Sequence, residues 1–219
     1  MSTEKYVRRY TELPFLIDYL KTRELVLLDP ISWDDRNDSY YIEQYATRKK
    51  LQGFAALCLT EAPETYHHWK VFSSGSSGIC IEFYKDDLIK HASKYTQLRA
   101  EKVEYCKIQE LQESPLDDDE LPFIKRYAFQ DEKEFRLFWG SDTEYSRNFR
   151  LRVPLISISR IILSPWLPKE VVEHVKDTLK TIPGCKSLKI YKSSLVENER
   201  WKRFAIKKQP EGSAKKHTN

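Results

Sequence analysis

The chain has 219 residues, of which 40% are apolar, 13% aromatic and 32% charged, a composition that excludes wholesale disorder and suits a folded domain with a sizeable core. Its 37 Lys and Arg against 33 Asp and Glu give a formal charge of +4, and Lys207, Lys208, Lys215 and Lys216 against Glu211 place +3 of it in the last thirteen residues, so the body has no basic excess for broad duplex nucleic-acid binding. The chain has no apolar run approaching the roughly 18 residues of a membrane span, and the opening MSTEKYVRRY is too charged for a signal peptide; the expectation is a cytoplasmic protein with no membrane partner.

In chain order, the aromatic-basic stretch Tyr6 to Tyr10 reads as a strand, followed by a helix capped by Thr11 and carrying Leu13, Leu16, Ile17 and Leu20 at helical spacing. Glu24 to Asp29 is a buried strand stopped by Pro30. Asp34, Asp35, Asn37 and Asp38 crowd a loop and cap the helix that carries Tyr40, Tyr41, Ile42 and Tyr45. Phe54 to Thr60 is a continuous apolar run without a polar face, expected in mid-sheet. Tyr66 to Trp69 makes one or two helical turns, and the Ser/Gly stretch Phe72 to Gly78 is a flexible loop leading into a strand with Ile79, Ile81 and Phe83 on one face.

Leu88 to Tyr95 is weakly helical, Lys102 to Lys107 reads as a strand, and Ser114 to Glu120 is an acidic, solvated connector before an apolar helix over Leu121 to Phe129. Glu134 to Trp139 and Phe149 to Val153 alternate on either side of a long loop, which predicts an antiparallel hairpin. Ile158 to Leu163, a helix begun by Pro168 and bearing Val171, Val172, Val175 and Leu179, and Ser187 to Tyr191 form a strand–helix–strand unit. The sum is an α+β fold: a single compact domain over residues 1–206 with a mixed, largely antiparallel sheet and flanking helices, and a basic, disordered tail over 207–219.

The common catalytic signatures are absent: no P-loop, dinucleotide-binding glycine fingerprint, HExxH helix or nucleophile elbow. Cys58, Cys80, Cys106 and Cys185 contain no close pair and no zinc spacing, and are read as reduced thiols in the core. Adjacent His67 and His68 diverge on a helix and cannot share a metal, so no metal ligands are assigned. The acidic loop could hold a cation but lacks the glycine and distal glutamate of a calcium loop, and Ser73 to Gly78 could cradle a phosphate or merely connect. Strand alternation turns Glu132, Glu134 and Arg136 to one side. In a cleft, crowding would raise one carboxylate's pKa while the other stabilises positive charge developing on a sugar; on an open face, Arg150 and Arg152 of the partner strand would pair with Glu134 instead.

Three ordered motifs carry a resemblance. Pro30-Ile-Ser-Trp33-Asp34-Asp35, Cys58-Leu-Thr-Glu61 with Trp69 and Gly78-Ile-Cys80, and Glu132-Lys-Glu134-Phe-Arg136-Leu137 resemble signatures of the bacterial family catalogued as domain of unknown function 2971. Trp stands here for the family's Phe and Asp34 for its Asn, and the usual His-Tyr-Ala and His-Lys between Trp69 and Gly78 are replaced by Val71-Phe72-Ser73 and Ser76-Ser77. More weakly, the order Arg, Ser, Glu-x-Glu is similar to that of cholera-toxin-like ADP-ribosyltransferases.

That second resemblance implies an NAD-using ADP-ribosyltransferase or NAD glycohydrolase, with a toxin or phage-defence component as its setting. Arg8 or Arg9 would bind the pyrophosphate, since alternation lets only one face inward, and Ser73 or Ser74 would orient the site. Glu134 would stabilise the oxocarbenium-like transition state, Glu132 would activate the acceptor, and Tyr10 or Trp33 would stack on nicotinamide. It implies NAD or a related nucleotide as substrate, no tightly bound cofactor, and a macromolecular acceptor of unknown class. The competing readings are a non-enzymatic binding or interaction domain and a metal-dependent nucleic-acid-processing protein using Asp34, Asp35 and Asp38.

Overall fold

The structure is a computed structural model that describes residues 4–73, 75–113 and 116–206. The strands are β1 (Tyr6–Glu12), β2 (Glu24–Leu28), β3 (Gly53–Thr60), β4 (Gly78–Tyr84), β5 (Leu98–Lys102), β6 (Glu104–Cys106), β7 (Ile124–Arg126), β8 (Glu134–Ser141), β9 (Asn148–Arg152), β10 (Ile158–Leu163) and β11 (Ile190–Lys192). The helices are α1 (Leu13–Thr22), α2 (Arg36–Arg48), α3 (Tyr66–Phe72), α4 (Lys85–Ala92), α5 (Ile108–Glu113), α6 (Lys169–Thr181) and α7 (Glu199–Arg203). One mixed sheet runs β11-β10-β4-β1-β3-β2-β9, with β8 also on β3 and β5 outside β8; β6 and β7 form a separate parallel pair. Among the described residues no helix is long and apolar enough to cross a membrane.

The expected continuous run, β3, holds the centre. One edge pairs with β8 along its whole length, from Gly53↔Ser141 to Thr60↔Glu134. Its other edge is shared, β1 meeting it at Arg8↔Thr60 and β2 at Leu28↔Ala56. Because α1 separates β1 from β2 in sequence, the two strands leave β3 at different levels and the sheet opens between them. Odd residues of β3, Ala55, Leu57 and Leu59, enter the main core with Val7, Ile79, Ile81, Phe83, Phe135 and Leu137. Even residues Phe54 and Ala56 pack instead with Ile42, Ala46, Phe123 and Phe138 under α2. The terminal β10–α6–β11 unit forms as expected, with β10 and β11 parallel.

Several local expectations are corrected. Thr11 caps nothing: it continues β1 opposite Ile79, and α1 starts at Leu13 with Pro14 in its first turn, where fixed φ is preorganised for helix. Asp38 lies inside α2, whose cap is Asp35 accepting from the Asn37 N–H. The region read as strand over Lys102 to Lys107 is the end of β5 and then β6, and the helix expected over Leu88 to Tyr95 is α4, which begins at Lys85 and ends at Ala92. Gly75–Ser77 forms a 3-10 turn rather than an unstructured loop.

The predicted helix over 121–129 is absent. Pro122 deprives a helix of a donor, and two 3-10 turns flank β7, which pairs with β6. The predicted hairpin is also absent. β8, buried on both faces, takes β3 and β5 as neighbours, while β9 joins β2 through Leu25↔Leu151 and Leu27↔Phe149. The four cysteines are free thiols, but only Cys80 and Cys185 are core residues; Cys58 and Cys106 are half-buried. The tail over 207–219 lies outside the described residues.

Candidate functional site

The opening between β1 and β2 is a cavity of about 450 Å³, within the roughly 300–1,000 Å³ of small-molecule sites. Leu57, Cys58 and Leu59 of β3 lie along it between the two strands that share their edge. Trp33 and the N-terminal end of α2 border one side, Phe72 at the end of α3 and Phe129 another, and Lys125, Glu132 and Glu134 complete the wall.

Glu134 opens β8 and is 4% exposed. It takes part in a buried chain of five charges. Arg136 Nε donates to Glu134 Oε1 at 2.7 Å and Nη2 to Oε2 at 3.0 Å, while Nη1 and Nη2 grip both oxygens of Asp38 at 2.8 and 2.6 Å. Nη1 also donates to the Pro122 carbonyl at 2.8 Å, so all five guanidinium donors are engaged within the fold. The Trp33 ring covers this guanidinium, its centroid 5.0 Å away. Lys125 Nζ lies 2.6 Å from Glu132, 3.3 Å from Glu134 and 3.5 Å from Asp38.

The two glutamates experience different fields. Burial opposes ionisation of Glu134, but Arg136 and Lys125 outweigh it and pull its pKa down to about 2. Burial pushes Glu132 up, and Lys125 does not fully offset it while the charges of Glu134 and Asp38 add to the rise. Asp38 is pushed up by burial as well. A permanently ionised carboxylate beside one with a raised pKa is the arrangement that separates an electrostatic stabiliser from a proton carrier. The backbone carrying Glu132 is held by Thr60, whose Oγ1 donates to the Glu132 carbonyl at 2.5 Å, and by His68 Nε2 at 3.4 Å from the same oxygen. His68, its pKa lowered by burial, stacks on Tyr10 at 5.6 Å.

The neighbouring arginines of β1 separate cleanly. Both border the cavity. Arg8 is paired, with Nη2 2.8 Å from Glu82 and Nη1 donating to the Ala62 carbonyl at 2.7 Å, while its buried Nε has no hydrogen-bond partner among the described residues. Arg9 is 6% exposed, and its side chain makes no hydrogen bond or ion pair among the described residues; its ring contact is with Phe15, 6.0 Å from the centroid. Burial pulls its pKa down to about 10, which leaves it cationic at neutral pH.

Of the residues singled out from the sequence, Arg8, Arg9, Tyr10, Trp33, Glu132 and Glu134 all border this one cavity. Tyr10 has its ring stacked on His68 and edge-on to Trp69 at 5.1 Å. Ser73 does not border the cavity, and its hydroxyl donates to the Trp69 carbonyl at 2.6 Å. Ser74 lies outside the described residues. Glu132 sits in the 3-10 turn before β8 rather than on the strand, and Arg150 pairs with Asp18 instead of Glu134. Asp38, Lys125, Thr60 and Cys58 escaped the sequence reading as cleft residues. No group of three or more His, Cys, Asp or Glu side chains among the described residues is placed to hold a metal.

Residues 68–137 match the family model described as "Protein of unknown function (DUF2971)". That segment contains Trp69, Gly78-Ile-Cys80 and the Glu132–Leu137 motif, and leaves Pro30–Asp35 and Cys58–Glu61 outside it. No curated protein matches the sequence. Among solved structures, the chain is similar to Thermus sp. 2.9 DarT in complex with ADP-ribosylated ssDNA, at 11% identity and a TM-score of 0.46, covering 87% of this chain and 94% of that one. The same protein in complex with carba-NAD+ gives 11% identity and 0.45, covering 88% and 97%; with NAD+ the values are 12% and 0.43, covering 87% and 96%. At these values the likeness bears on neither the site nor its activity.

Proposed function

We propose that the cleft binds a dinucleotide of the NAD type and cleaves its nicotinamide–ribose bond, passing the ADP-ribosyl group to an acceptor or to water. The observation that carries this reading is Arg9: a buried guanidinium with no ion pair of its own among the described residues, bordering the same cavity as an ionised glutamate and a second glutamate whose pKa is raised. A largely buried cation with no ion pair among the described residues is costly to keep, and a pyrophosphate would satisfy it through charge-assisted hydrogen bonds.

In this reaction neutral nicotinamide leaves with the electron pair of the C–N bond. Positive charge builds on the ribose C1′ beside Glu134, and Glu132 accepts the proton of the incoming hydroxyl or water as the new bond forms. Trp33 offers an aromatic face for the base, while Tyr10, held by His68 and Trp69, closes the end of the cleft. Thr60 takes the orienting role expected of Ser73 or Ser74 by fixing the turn that bears Glu132. NAD is a substrate here, and no tightly bound cofactor is required.

A second reading, binding without bond cleavage, is favoured by one observation: both oxygens of Glu134 already accept hydrogen bonds from cations. One experiment separates the two. NAD is titrated calorimetrically into the protein, and nicotinamide release is followed chromatographically for wild type and Glu134→Gln. Release by wild type that Glu134→Gln loses supports catalysis; binding without release supports the second reading; neither binding nor release overturns both.

A further inference from the structure

A second cavity, of about 550 Å³, lies where the end of α1, the end of α4, the segment after β9 and the turn at Gly184 meet. Four basic side chains border it, Arg23, His91, Lys94 and Arg152, and no acidic residue does among the described residues. Tyr95 and Leu155 give it an apolar floor.

The basic groups are not a loose surface scatter. Arg23 caps α1 in the left-handed conformation, and its guanidinium donates to the Pro183 carbonyl and lies 3.9 Å from Cys185 Sγ, which fixes its direction. Gly184 packs against it: a Cβ there would stand 3.3 Å from Arg23 Nη2, and its φ of +81° favours glycine. Lys94 Nζ donates to His91 Nδ1 at 3.4 Å, and burial together with Lys94 lowers the His91 pKa. The Arg152 side chain makes no hydrogen bond or ion pair among the described residues, although Glu24 stands opposite it on β2, whereas Arg150 takes both Asp18 and Glu24. Helix ends account for Arg23 and Lys94, because cations offset the partial negative charge there. They do not account for Arg152, which comes from a strand and brings a third cation to the cavity.

From this convergence we infer that the cavity is a second binding site, separate from the cleft, for a phosphate-bearing ligand of nucleotide size. Its phosphate would be held by Arg152, Lys94 and Arg23, and its base would lie on the Tyr95–Leu155 floor. A free nucleotide and a nucleotide within a single-stranded nucleic acid share this chemistry. The inference does not depend on NAD cleavage, and an anion here would meet a cavity bordered by basic groups and by no acidic residue among the described residues.

The test titrates pyrophosphate, AMP and a short single-stranded oligodeoxynucleotide calorimetrically into the full chain carrying Arg9→Gln, which removes the cleft's own anion-binding group. The same titrations follow with Lys94→Glu and Arg152→Glu added. The expected result is binding of at least one probe that weakens at least tenfold with the added pair, at an unchanged melting temperature. AMP binding identifies the free nucleotide as sufficient; binding of the oligodeoxynucleotide alone identifies nucleic acid. No binding by any probe, or binding that the pair leaves unchanged, overturns the inference. Should the glutamates unfold the chain, Lys94→Gln with Arg152→Gln replaces them, and a threefold or greater loss is expected.

Discussion

Two buried guanidiniums, Arg9 lining the cleft and Arg136 behind its Asp38 and Glu134, live in opposite circumstances. Arg136 is wholly buried and spends all five donors on Asp38, Glu134 and the Pro122 carbonyl, under the Trp33 ring. Arg9 is nearly as buried, and its side chain makes no hydrogen bond or ion pair among the described residues. The first is part of the folded architecture, since removing it would strand two carboxylates. The second makes no ion pair among the described residues, its ring contact being with Phe15 at 6.0 Å, and the proposed dinucleotide would bring it an anion to bind.

The sharpest break in this contrast is Arg136→Met. It leaves Glu134 and Asp38 buried with Lys125 alone, and stability should fall by about 3–5 kcal/mol in denaturant melts, the usual result of breaking a buried pair from one side. Arg9→Met should do the reverse: the melt stays within about 1 kcal/mol of wild type or improves, because an uncompensated charge has been removed, while NAD affinity measured by calorimetry falls at least tenfold. A destabilisation by Arg9→Met as large as that by Arg136→Met would erase the distinction between the two residues. Glu134→Gln should lower nicotinamide release by about 10²–10³-fold, the range for removing one preorganised electrostatic contact from a transition state, with a smaller loss of stability than Arg136→Met.

The smallest expected effect is the pH dependence of stability. Glu134, depressed from 4.5 to about 2, contributes stability that is in place above pH 4.5 and is lost as the pH falls toward 2. Glu132 is raised, so its contribution has the opposite sign: present below its ordinary carboxylate range and lost as the pH rises through its elevated value. Urea melts across the acid range should show the Glu132 component disappear in Glu132→Gln while the Glu134 component remains.

The distribution of what could be read in advance follows from how local each signal is. β3, the β10–α6–β11 unit and the alternating face of β4 announce themselves by apolar periodicity, and all are present. Glu134 and Arg136 share a face because strand alternation is a local rule, and they bond directly. The partner of β9 is decided by pairing across the sheet, with Leu151 and Phe149 matching Leu25 and Leu27 of a strand more than a hundred residues earlier, so proximity along the chain pointed to the wrong neighbour. Lys125 was obscured because an apolar stretch containing Pro122 looked helical, and Asp38 because an acidic cluster before a helix looks like capping; each is bound to the site by contacts from distant elements. Ser73 was aligned by residue type alone, and its hydroxyl is occupied by the helix it ends.

The cleft account is tested most directly by the structure of the protein crystallised with NAD. The prediction is a dinucleotide in the opening between β1 and β2, its pyrophosphate oxygens within hydrogen-bonding distance of the Arg9 guanidinium and its nicotinamide ribose beside Glu134. A dinucleotide bound elsewhere, or an Arg9 side chain that makes no contact with the phosphates, would contradict it.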